Sequence, residues 1–127
     1  MTANFKKSEF DCKCGCKMPP KVLVNVVKTA DNLQVLRDHL KISITINSAY
    51  RCKAHNASVG GVKTSQHLQG IATDITSKVH NPKSLYNIIE DLIKEGKLKE
   101  GGLGLYNTFV HYDIRDSGKA RWDYRKD

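Results

Sequence analysis

Residues 65–74 read Ser65-Gln66-His67-Leu68-Gln69-Gly70-Ile71-Ala72-Thr73-Asp74. The stretch from Ile71 to Thr76 is short, rich in β-branched residues and bounded by Gly70 and Ser77, which predicts a strand. His67 lies just before that strand and Asp74 inside it, and Gly70 lets the chain turn so that both side chains approach one point. A later segment, Phe109-Val110-His111-Tyr112-Asp113, is also extended. There Val110, Tyr112 and Ile114 fall on one face, while Phe109, His111 and Asp113 fall on the other. Pairing of the two strands would set His111 opposite Asp74. Zinc accepts imidazole nitrogen and carboxylate oxygen, and a catalytic site uses three protein ligands so that a fourth position can hold water. His67, Asp74 and His111 meet that count, so Zn2+ is the expected cofactor.

Working outward, Ile42, Ile44 and Ile46 alternate with Ser43, Thr45 and Asn47, the pattern of a half-buried strand ending near Tyr50. Before it, Leu23, Val26, Val27, Ala30, Leu33, Leu36 and Leu40 recur at spacings of three and four, predicting an amphipathic helix from Pro20 to Leu40. A second helix runs from Pro82 to Lys94 on Leu85, Ile88, Ile89, Leu92 and Ile93, capped by Asn81 and closed by Gly96. The segment from Arg51 to Gln66, with Gly60-Gly61 at its middle, reads as an irregular loop. Leu103–Tyr106, Phe109–Ile114 and Ala120–Tyr124 read as three further short strands. This order does not repeat as βαβ. It predicts an α+β fold, a small and mainly antiparallel sheet backed by two main helices. A chain of 127 residues fits one domain, 1–127, with residues 1–19 forming a cysteine-containing N-terminal segment.

No stretch approaches the roughly 20 apolar residues of a membrane span. The N-terminus, MTANFKKSEFDCKCGCK, lacks the apolar core of a secretory signal. The expectation is a protein made in the cytoplasm that reaches an outside target only if released or delivered. A formal charge of +8 fits a polyanionic partner such as nucleic acid, anionic lipid or an anionic wall polymer, and equally a solvated basic surface. Cys12, Cys14 and Cys16 form a CxCGC cluster, and Cys52 stands apart. Three readings stay open: a structural zinc site if the N-terminal segment folds back onto Cys52, one or two disulfides, or reduced thiols without a metal.

Taken together, SAYR (48–51), HNASVGG (55–61), SQHLQGIATDI (65–75) and FVHYDIR (109–115) resemble the zinc D-alanyl-D-alanine carboxypeptidase family. That family belongs to a wider group of peptidoglycan metallopeptidases, with dipeptidases of vancomycin resistance, phage endolysins and the zinc fold of hedgehog signalling domains. The resemblance spans residues 5–124, with S-x-H-x-x-G-x-A-x-D as its most specific part. It implies a hedgehog-like peptidase fold and His67, Asp74 and His111 as ligands. It implies Arg51 as the group that polarises the scissile carbonyl, and Tyr50, Ser65 and Gln66 as substrate-binding positions. Several members carry an acidic general base three residues before the last histidine, where this chain has Thr108. Asp113 is the nearest acidic replacement; its other reading is to orient His111 or pair with Arg115.

The resemblance therefore implies a zinc peptidase acting on peptidoglycan stem or cross-link peptides, of phage-lysin type or otherwise, and working as a monomer. The bond cleaved stays open among D-Ala-D-Ala, L-Ala-D-Glu and cross-link bonds. One rival is an inactive zinc-containing module that binds wall fragments. The other is a nucleic-acid binder built on the CxCGC cluster, which is disfavoured because the aromatics are not interleaved with the basic residues.

Overall fold

Proline opens both long helices, where its missing N–H is no loss and its fixed φ is already helical. Helix α1 (Pro20–Leu40) ends at Lys41, whose left-handed backbone (φ 59°) returns its N–H to the Arg37 carbonyl. The computed structural model describes residues 1–126. After α1 come strand β1 (Ile44–Ser48), a short helix α2 (Lys53–Ser58), a 3-10 turn (Gln66–Gln69), strand β2 (Ala72–Ser77) and helix α3 (Pro82–Lys94). Strands β3 (Gly102–Leu105), β4 (Val110–Asp113) and β5 (Ala120–Asp123) complete the order. Asn81 caps α3 by accepting the Ser84 N–H.

The five strands form one sheet in the order β1-β2-β4-β3-β5, antiparallel except for β3 and β5. This is the expected α+β class with a mainly antiparallel sheet. Leu85, Ile89 and Leu92 of α3 are buried with Leu103, Leu105, Val110 and Tyr112 in one apolar core. Each such side chain contributes about 1.5–3 kcal/mol by leaving water. The sheet's opposite face carries the row Asp74, His111, Gly104 and Trp122, one residue from each of β2, β4, β3 and β5 in register.

Two local expectations change. Lys53–Ser58 is helical rather than irregular: Cys52 caps it, its sulfur accepting the His55 N–H at 3.4 Å. At six residues it is too short to show a helical period in the sequence. The buried stripe of α1 is Val22, Val26, Thr29, Ala30, Leu33 and Leu36, so Val27 is exposed and Leu23 and Leu40 are only half-buried.

That stripe holds the turn before β2. Gly70 adopts φ +77° and sits so close to Val22 and Val26 that a side chain there would collide with both. The Thr29 hydroxyl donates to the Gly70 carbonyl and Asn25 donates to the Gln69 carbonyl, each at 2.9 Å. Only glycine satisfies both the positive φ and the close approach.

Candidate metal centre

The turn fixed by α1 presents His67, and the β2–β4 ladder sets Asp74 against His111. Asp74 Oδ1 lies 3.3 Å from His67 Nε2 and 3.1 Å from His111 Nδ1. The two rings meet edge-on at 5.2 Å. One donor atom from each residue falls within 4.8 Å of the others, the compactness a single ion requires.

The far side of each imidazole is already committed. His67 Nδ1 lies 2.6 Å from the Ala49 carbonyl, which can only accept, so the proton sits on Nδ1 and the Nε2 lone pair points to the cluster. Likewise His111 Nε2 donates to Asp113 Oδ2 at 2.8 Å, leaving Nδ1 aimed at Asp74. Metal-binding histidines are held in this way, with the second nitrogen on a carbonyl or carboxylate. A borderline divalent ion such as zinc fits two imidazole nitrogens and one carboxylate oxygen in a mostly buried position.

Electrostatics agree with the geometry. Burial would push the Asp74 carboxyl up, but its hydrogen bonds with His111 and His67 hold it well below the usual carboxylate range. Burial would lower His111; its hydrogen bonds to Asp113 and Asp74 outweigh that and raise it.

Asp113 is fully buried, and both its oxygens are occupied. Oδ1 accepts from the Gly102 N–H (2.9 Å) and from Arg115 Nε (2.8 Å); Oδ2 accepts from His111 and from the second arm of Arg115 (2.6 Å). Burial opposes its ionisation, yet Arg115 and His111 keep it far below the usual range.

A cavity of about 460 Å³ opens over the cluster, lined by Arg51, Ser65, Gln66, His67, His111 and Trp122 among others. Arg51 is anchored by its backbone, its N–H donating to the His67 carbonyl at 3.1 Å. Its Nε is buried with no partner among the described residues, and it joins no ion pair there. Ser65 lines the cavity while its hydroxyl caps the turn through the His67 N–H at 3.2 Å. Tyr50 lies elsewhere: it is buried in the apolar core, and its N–H donates to the Phe10 carbonyl.

Sequence reasoning did not single out Tyr106, Gly102 or Gly104. Trp122 tilts against His111, with ring centroids 5.1 Å apart, and donates to the Tyr106 hydroxyl at 3.0 Å. The indole reaches that position across Gly104, where any Cβ would overlap it; at Gly102 a Cβ would overlap Asp113. The available signal was the Gly-Leu-Gly-Leu run at 102–105, whose side-chain-free positions share one face.

No curated protein matches the chain. The sequence pattern of the family described as Peptidase M15 matches residues 2–113, which include β1 to β4 and every residue of the His–Asp–His cluster. Matched over most of its length, the chain belongs to the peptidase M15 family and is a metallopeptidase.

Proposed function

We propose that the chain is a zinc peptidase that hydrolyses peptide bonds in peptidoglycan, with His67, Asp74 and His111 as its metal ligands. The observation that carries the reading is the convergence of His67 Nε2, Asp74 Oδ1 and His111 Nδ1 beneath a cavity into which Arg51 brings an unpartnered guanidinium. When bound, zinc would polarise the scissile carbonyl and lower the pKa of water to roughly 7. Arg51 holds the carbonyl oxygen as it gains charge. Ser65 and Gln66 at the cavity rim bind the substrate backbone, while Tyr50 acts from the core by supporting the Arg51 turn.

Asp113 takes the positioning role. A general base must reach the proton it accepts, and both oxygens of Asp113 already hold donors. It fixes the tautomer and tilt of His111, and Arg115 holds it in place.

A second depression, about 610 Å³, shares Gln66 and Arg115 with the cavity. That joined surface suits a peptide continuing past the cleaved bond, so we favour an endopeptidase acting on stem or cross-link peptides over a carboxypeptidase. A surplus of 21 basic over 13 acidic residues favours approach to anionic wall polymers. The three proposed ligands and Arg51 all come from one chain, which favours a monomer. No helix among the described residues is long and apolar enough to cross a membrane. Action at the wall would follow release or delivery, as with a phage lysin.

The test is digestion of purified peptidoglycan with zinc-loaded protein, with the products identified by mass. New amino termini inside stem or cross-link peptides are expected. Release of terminal D-alanine alone would make it a carboxypeptidase, and zinc-loaded protein that yields no product from any wall peptide would refute the reading.

A further inference from the structure

The N-terminal segment has a task that the peptidase site does not use. Phe5 and Phe10 are buried edge-to-face, 6.3 Å apart, and the Phe10 carbonyl accepts the Tyr50 N–H. This pins the chain beside the turn that carries Arg51 and Cys52. Just past Phe10, Gly15 adopts φ +83° in a turn closed by its N–H on the Cys12 carbonyl, so Cys14 and Cys16 fold back towards Cys12.

Cys12 Sγ and Cys14 Sγ are 3.3 Å apart, Cys14 and Cys52 3.5 Å, and Cys12 and Cys52 3.8 Å. With Cys16, all four sulfurs lie within 4.8 Å of one another. A tetrahedral ion with metal–sulfur bonds of about 2.3 Å requires sulfurs about 3.8 Å apart. The cluster has that number of ligands and that size. No disulfide joins any two of them, and Cys14 has two neighbours at nearly equal distance, so no single pairing is preferred. Backbone N–H groups also face the sulfurs: Cys52 N–H donates to Cys12 Sγ and His55 N–H to Cys52 Sγ, each at 3.4 Å. Such donors favour thiolate over thiol. Lys13, Lys17 and Lys53 neighbour the cysteines in the chain.

We propose that Cys12, Cys14, Cys16 and Cys52 bind one zinc ion in a closed tetrathiolate site that clamps the N-terminal segment to the turn bearing Arg51. All four positions are protein sulfur, leaving none for water, so the site is structural. Binding releases the thiol protons and forms four metal–sulfur bonds, with no change of oxidation state. Zinc suits the site because it imposes no redox chemistry and accepts a tetrahedron readily.

The test counts metal in protein purified with reductant and a zinc supplement, then desalted. The wild type is expected to hold about two zinc per chain, and the His67→Ala/Asp74→Ala double variant about one. A mercurial thiol reagent should release that remaining ion as the four thiols react. Cobalt put in place of zinc should give thiolate-to-metal charge-transfer absorption in the near ultraviolet, which Cys14→Ser/Cys52→Ser abolishes. The His–Asp–His site has no sulfur and cannot give that signal, so the wild-type spectrum decides the matter even if a variant fails to fold. It also decides it independently of whether the peptidase reading survives. Cobalt-loaded wild type without charge transfer, iron in place of zinc, or a disulfide found by mass under these conditions would overturn the proposal.

Discussion

The two ends of the His111 ring face two aspartates, and the contrast between them separates ligand from support. At Nδ1 stands Asp74, from the neighbouring strand, whose carboxylate pairs among the described residues only with the two histidines and is open enough to share an oxygen with an ion. At Nε2 stands Asp113, from the same strand, sealed from water and holding Gly102, His111 and both arms of Arg115. Both carboxyls are held far below their usual range, so acidity does not distinguish them. What distinguishes them is vacancy, since a carboxylate already saturated with donors would have to lose one before it could take up a metal or a proton. The two arginines divide in the same way. Arg115 is paired with Asp113 and lies over the Trp122 ring, whereas Arg51 has no such pair among the described residues.

The contrast can be broken at three residues. Asp74→Ala should have the largest effect: the zinc of the His–Asp–His site is lost by elemental analysis and hydrolysis falls below detection, as it should when a chelator strips the wild type. Retained activity in that variant would move the metal elsewhere. Arg51→Ala should keep full zinc while kcat drops about 100-fold to 1000-fold, the usual loss for one donor to a developing oxyanion. An unchanged kcat would leave Arg51 with no part in the reaction. Asp113→Asn should weaken zinc binding about 10-fold to 100-fold, with activity recovered once zinc is saturating. If the saturated variant stays inactive, Asp113 carries the proton and the division drawn between the two aspartates fails.

The smallest effect is on stability. Asp113 has a folded value below its unfolded value of about 4, so its contribution is complete above that range and is lost as the pH falls towards the folded value. Urea midpoints of metal-free wild type and Asp113→Asn should therefore differ by a steady amount above about pH 5, with the gap starting to narrow only as the pH falls below about 4. A gap that stays constant or widens in acid would mean that Asp113 is not held ionised by Arg115 and His111.

Much of this arrangement was legible because its signals are local. Pro20 and Pro82 mark helix starts wherever they occur, and both long helices have the bounds the apolar period predicts. Alternation along 109–114 was enough to put His111 and Asp113 on one face, and β2–β4 pairing sets His111 against Asp74. The rest depends on what arrives from elsewhere in the chain. Neither the parallel pairing of β5 with β3 nor the burial of Tyr50 under the N-terminal segment has a signature in its own neighbourhood. Arg115 closing on Asp113 is a choice of rotamer, and so is the orientation of each imidazole. Tetrathiolate spacing was hidden for the same reason, because the separation of 36 residues between Cys16 and Cys52 says nothing of distance until Phe10 docks beside Tyr50.

Strand β3 passes between His111 and Trp122 without placing a side chain on the functional face, since Gly102 and Gly104 occupy those positions. The consequence concerns mutational drift. A methyl group at 104 would push the indole off His111, and one at 102 would separate Asp113 from Arg115. A saturation-mutagenesis survey scored on activity should therefore rank these two residues, which contribute no functional group, beside the metal ligands in intolerance. The exposed Val59 and Val79 should accept almost anything. In this sheet, empty space is as necessary to the site as the groups that surround it.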